Sequence, residues 1–130
     1  MDRRARCSCG QLSVGCRGEP VRSSVCHCLD CQMRTGSAFA AQIRFRAEDV
    51  EISGNATRYE RRAASGAVLA FAFCPTCGAT VYYVIDRDPG VVAVPLGLFA
   101  EPGIFPPSRS VYESRRQPWV EVTGCVERLD

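Results

Sequence analysis

The stretch Phe73-Cys74-Pro75-Thr76-Cys77-Gly78 is the most specific signal in this chain. Two thiols three residues apart, with a proline between them and a glycine after, form a zinc-knuckle sequence. Pro75 stiffens the turn, and Gly78 is free to take the positive φ that lets backbone N–H groups reach the thiolates. The chain has nine cysteines in all, and two further groups accompany the knuckle: Cys7-Ser8-Cys9 and Cys26-His27-Cys28-Leu29-Asp30-Cys31. Cys16 and Cys125 stand alone. A disulfide scaffold is opposed by the odd count and by an N-terminus, MDRRARCSCG, without the apolar run of a secretion signal. The expectation is a cytoplasmic protein with reduced thiols. Buried free cysteines acting as small hydrophobes suit Cys16, in the alternating stretch Leu12, Val14, Cys16, and Cys125 near the end. They do not account for sulfurs packed two and three residues apart.

Metal binding does account for them. Residues two apart on a strand point to one side, so Cys7 and Cys9 are expected to share an ion, and Cys26 and Cys28 likewise. Seven grouped sulfurs divide as four plus three. Cys7, Cys9, Cys74 and Cys77 would form a closed site tying the first strand to the middle of the chain across a loop of about 65 residues, where a cross-link constrains most. Cys26, Cys28 and Cys31 would form a second site with an open position. Four protein ligands is the structural pattern for zinc, three plus an open position the catalytic one. His27, the single histidine, would face away from its neighbours on a strand and serve as a packing or supporting residue.

The rest of the composition bounds the picture. The chain has 130 residues, 46% hydrophobic and 23% charged, values of one globular domain. We expect a single domain over residues 1–130, with its core at about 5–128. No apolar run approaches the ~20 residues of a membrane helix. Sixteen basic residues against 14 acidic give a net charge of +2, and every basic residue is Arg. This balance offers little to a polyanion, so nucleic acid is disfavoured as a partner. The absence of Lys is in keeping with a GC-rich bacterial coding bias and removes any Schiff-base lysine.

Period-2 alternation dominates, and β-branched and aromatic residues fill it. Strands are expected at 12–17 and 21–26 as a first pair, then at 39–46, 50–52, 57–62, 68–73, 80–85, 91–96, 111–113 and 119–126. One short helix is expected at 30–35, stopped by Gly36. Asp86–Gly90 reads as a turn and Glu101–Ser108, with three prolines, as a loop. The fold class is mainly β, with little helix and zinc at the strand ends.

The order CSCG at 7–10, CHCLDCQMRTGSAF at 26–39, FCPTCG at 73–78 and QPWVEV at 117–122 resembles the glutathione-dependent formaldehyde-activating enzyme family, whose superfamily includes centromere protein V. The resemblance spans nearly the whole chain. It implies a β-tent zinc fold, a structural zinc on Cys7, Cys9, Cys74 and Cys77, and a functional zinc on Cys26, Cys28 and Cys31. It implies a carbon–sulfur lyase activity of the S-(hydroxymethyl)glutathione synthase kind: addition of glutathione to formaldehyde. The chain departs from the family pattern at two places. Gly97-Leu98-Phe99-Ala100 stands where G-x-L-D is frequent, and Ser110 stands where a His is common. The expected partners are a small thiol such as glutathione and an aldehyde, with Arg34, Arg44 and Arg46 as the arginines nearest in sequence to clamp carboxylates, or else as solvated charges. A homodimer is left open. The competing reading is a zinc-ribbon-type module for protein or nucleic acid with a non-catalytic second zinc.

Overall fold

The computed structural model describes residues 1–124 and 126–130, so Cys125 lies outside the described residues. Among the described residues, eleven strands and one α-helix follow one another: β1 Arg3–Arg6, β2 Ser13–Cys16, β3 Arg22–Cys26, α1 Leu29–Thr35, β4 Ala40–Arg46, β5 Val50–Ser53, β6 Thr57–Arg62, β7 Val68–Phe73, β8 Thr80–Ile85, β9 Val91–Pro95, β10 Arg109–Val111 and β11 Glu127–Arg128. They form a three-stranded sheet, β1-β2-β5, and an eight-stranded sheet, β11-β10-β3-β4-β9-β8-β7-β6. The mainly β class with one short helix is therefore as expected.

Alternation in β4 shows how the large sheet is used. Ile43 and Phe45 are fully buried and pack with Ala5, Leu12, Val14, Val81, Val92 and Val94 in the core between the two sheets. Ala40, Gln42 and Arg44 point to the opposite face. There Ala40 packs on Cys26 and Cys31, while Phe71, Tyr83 and Ala93 form a separate cluster. One face of the large sheet thus makes the core, and the other is a floor that carries Cys26 and Cys31.

Several expectations are corrected. Residues 12–17 and 21–26 do not pair: β2 lies between β1 and β5, whereas β3 pairs with β4 and, in parallel, with β10. The turn at 17–20 passes the chain from one sheet to the other. Strand β1 is absent from the pattern because its residues are RRAR, with only Ala5 buried. The strand expected at 111–113 ends instead at Val111. Of the strand expected at 119–126, residues 119–124 and 126 are irregular, and a short strand follows at Glu127–Arg128; Pro118 and Gly124 break the alternation.

Two local devices shape the surroundings of the knuckle. Between β7 and β8 the register shifts, Ala72 facing Tyr82 and Phe73 facing Thr80, so Val81 is an extra residue on β8 just after the knuckle. Between β5 and β6, Gly54 lies so close to Gln11 that a Cβ would come within 1.9 Å of its carbonyl oxygen. Its φ of +103° also requires glycine.

Candidate metal centres

Cys7 and Cys9 do not sit on a strand. They occupy the turn after β1, and sharing arises from the turn rather than from strand alternation. That turn matches the knuckle at Cys74. Gly10 N–H bonds Cys7 O at 3.0 Å and Gly78 N–H bonds Cys74 O at 2.8 Å. Cys7 N–H bonds Leu12 O at 3.0 Å and Cys74 N–H bonds Ala79 O at 2.9 Å. Gly10 and Gly78 have φ of +84° and +81°. Two knuckles thus face each other. The Sγ atoms of Cys7, Cys9, Cys74 and Cys77 all lie within 4.8 Å of one another, with Cys7–Cys9 and Cys9–Cys74 at 3.6 Å. Tetrahedral ligands at ~2.3 Å from an ion stand about 3.8 Å apart, so the quartet fits a zinc ion.

Donors converge on these sulfurs. Leu12 N–H reaches Cys7 Sγ at 3.4 Å, and Thr76 and Cys77 N–H reach Cys74 Sγ at 3.4 and 3.5 Å. Gln11 Nε2 donates to Cys74 Sγ at 3.0 Å. Burial pushes the Cys74 thiol up, but Gln11 and the two backbone N–H groups outweigh it and hold the thiol down at about 5. Gln11 also grips the β5–β6 turn at Asn55, donating to its carbonyl at 2.7 Å and accepting from its N–H at 3.0 Å. No spacing rule marks Gln11; its role comes from the turn that Gly54 admits.

The second cluster, Cys26, Cys28 and Cys31, also has all Sγ within 4.8 Å. Here too the strand argument is corrected. Cys26 ends β3, and Cys28 is the N-cap of α1, with φ −61° and ψ 153°. Its sulfur accepts from Cys31 N–H at 3.3 Å, so Cys28 and Cys31 are brought together by helix capping. The neighbouring Cys26 thiol, with Cys28, Arg34 and Arg61, outweighs burial and lowers Cys31 to about 6. Cys31 in turn, with burial, drives Cys26 upward. Three sulfurs this close together are a donor set that a divalent cation would complete.

The two clusters differ in their surroundings. The trio lies at one end of a cavity of about 420 Å3 on the outer floor of the large sheet. Arg44, Arg61 and Tyr83 line it. Arg34 lies over the rings of Phe71 and Tyr83 at 4.9 and 5.5 Å, and Arg61 lies over Phe71 at 5.1 Å, which fixes two positive charges near Cys31. Of the three arginines expected near the site, Arg44 lines the cavity and Arg34 stacks at its edge. Arg46 is exposed beside Val21, Ala47 and Glu48. Burial pushes the Tyr83 phenol up to about 12, with Arg44 opposing.

His27 is fully buried and is not part of either cluster. Its Nε2 lies 2.8 Å from Ser110 Oγ and 3.2 Å from Glu113 Oε2, and its ring tilts against Phe39 at 5.8 Å. Ser110, itself fully buried, donates to Glu113 Oε2. Ser110 has no second proton, so His27 Nε2–H must be the donor to Ser110. Burial outweighs the pull of Glu113 and lowers the His27 pKa, so the ring is neutral and its contact with Glu113 is not an ion pair. The residue between two cysteines thus anchors β3 to β10 and the turn after it. Ser110 and Glu113 are the partners that sequence reading missed.

The family model described as glutathione-dependent formaldehyde-activating enzyme matches residues 2–115. No curated protein matches. Among solved structures, the crystal structure of a Rhodobacter sphaeroides protein is similar with a TM-score of 0.59 at 22% identity, covering 79% of this chain and 91% of that one. At that identity the likeness speaks to the fold.

Proposed function

The chain belongs to the glutathione-dependent formaldehyde-activating enzyme family, and from that premise we propose that it is a zinc-dependent carbon–sulfur lyase acting on a small thiol and an aldehyde. The observation that carries the reading is the contrast between the clusters. Four cysteines close on one another between two knuckles, while three stand at the end of a cavity large enough for a thiol and a carbonyl compound. Cys7, Cys9, Cys74 and Cys77 would hold a structural zinc and Cys26, Cys28 and Cys31 a functional one.

A zinc ion bound by the trio would lower the pKa of a coordinated thiol and polarise a carbonyl oxygen. The chain's own residues supply the rest. Arg34 and Arg61, fixed against Phe71, offset the charge of the thiolates. Tyr83, with its pKa raised to about 12, keeps its proton at neutral pH and presents an O–H that can donate to the oxygen becoming an alkoxide. In the addition a carbon–sulfur bond forms, the carbonyl π bond breaks, and the thiol proton ends on the former carbonyl oxygen. Glutathione and formaldehyde are the reactants that the family name supplies. The test is the rate of S-(hydroxymethyl)glutathione formation from 13C-formaldehyde and glutathione, followed by exchange NMR. Acceleration by the zinc-loaded protein and its loss in Cys28→Ser are expected; a wild-type rate equal to the spontaneous rate would refute the activity.

A further inference from the structure

The floor of the cavity carries a gradient from sulfur to arginine. Along β3 the residues on the cavity side are Cys26, then Ser24, then Arg22. Ser24 faces Gln42 across the strand pair, and Arg22 faces Arg44. On the other flank Arg109 of β10 pairs with Ser24 and so lies diagonal to Arg22. Arg22, Arg44 and Arg109 all line the cavity. They are close enough that Arg44 and Arg109 both add to the burial that lowers the pKa of Arg22. Three guanidinium groups on adjacent strands repel one another, and such a cluster calls for negative charge.

The acids nearby do not fill that role. Glu127 touches Arg109 at 3.7 Å, and Asp88 lines a separate small cleft with Arg44. These two leave one positive charge over. Among the described residues, the single acid lining the cavity itself is Asp30, in the first turn of α1 beside the cysteines. Arg61 and Arg87 add two more cations to the lining. Between the arginines and the sulfurs the floor is polar and sheltered. Gln42 is 4% exposed, its Nε2 bonds Ser24 Oγ at 3.1 Å, and its Oε1 is buried without a partner. That leaves the Ser24 hydroxyl proton free for a ligand oxygen.

We propose that this end of the cavity is an oxyanion subsite, formed by Arg22, Arg44 and Arg109, for a compact dianionic group: a phosphate monoester or a dicarboxylate carried by the thiol substrate. The inference deepens the thiol-centre reading and rests on it for the other end of the ligand. Four residue steps along β3 lead from Cys26 to Arg22, about 13 Å at ~3.3 Å per residue, so the anionic group stands several bonds from the sulfur. Arginine's planar fork suits both anions.

The test is calorimetric titration of the zinc-loaded protein with inorganic phosphate and, separately, malonate, at fixed ionic strength. Binding of either, weakened at least tenfold in the Arg22→Met/Arg44→Met protein and partly kept in Arg44→Lys, supports the subsite; the tighter anion identifies the chemistry of the tail. Thermal melts establish that each variant is folded, and Arg109→Gln gives an independent readout of the same cluster. No binding of either anion, or binding equal in wild type and variants, overturns the proposal. The trio is read separately, by the visible spectrum of the cobalt-substituted protein on adding 2-mercaptoethanol. A spectral change without anion binding sinks the arginine subsite alone; anion binding without a spectral change sinks the thiol centre and, with it, the proposal that the anion is a thiol's tail.

Discussion

Replacing Cys9 by Ser and, separately, Cys28 by Ser removes one sulfur from each cluster, yet the stability costs should differ widely. Cys9 and Cys74 close a loop of 65 residues, whereas the trio spans only residues 26–31. Loop-closure entropy grows as three-halves of RT times the logarithm of length, so the long closure contributes about 2 kcal/mol more than the short one. For a domain of this size that is about 8 °C in Tm. The pair is well matched for the comparison. Cys9 is exposed and Cys28 half-buried, so neither change leaves a large cavity. Serine also remains a good N-cap, so α1 keeps the bond that Cys28 now accepts from Cys31 N–H. The assay is a thermal melt followed by circular dichroism, with zinc per chain measured by mass spectrometry on the same samples. Two ions in the wild type, one in each variant, and a Tm for Cys9→Ser at least several degrees below that of Cys28→Ser are expected. Equal melting temperatures, or a lower one for Cys28→Ser, would refute the assignment of the quartet as the structural anchor.

Gln11→Ala leaves the Asn55 backbone and Cys74 Sγ without their shared partner. A loss of about 1–3 kcal/mol and faster zinc release to a chromogenic chelator are expected; unchanged release would remove Gln11 from the site. Tyr83 should titrate near pH 12. Its folded pKa lies above the unfolded value of about 10, so the stability it contributes is complete below pH 10 and is lost as pH rises through 12. Absorbance titration at 295 nm should show one late-ionising tyrosine that disappears in Tyr83→Phe, and a set of ordinary midpoints would contradict the burial argument.

The two cysteine clusters that could hold a metal and the class of fold were legible in the residues alone. Ligand groups such as CSCG and FCPTCG are local: two sulfurs, a turn and a glycine specify a knuckle whatever surrounds it, and Gly78 has the positive φ its place demanded. Alternation such as that of residues 39–46 likewise marks a strand with one buried face, and β4 fills Ala40–Arg46. Which strands are neighbours, and what stands around the sulfurs, came only with the packed chain. Strand 12–17 was misplaced beside 21–26 because alternation gives a strand its two faces but not its partner. The arginine cluster was invisible for the same reason. Arg22, Arg44 and Arg109 come from three different strands, and of them the sequence pointed only to Arg44, as one of three arginines that could clamp a carboxylate or stand as a solvated charge. Only the antiparallel pairing of β3 with β4 and the parallel return of β10 bring them over one floor, where mutual repulsion gives them a meaning that none has singly.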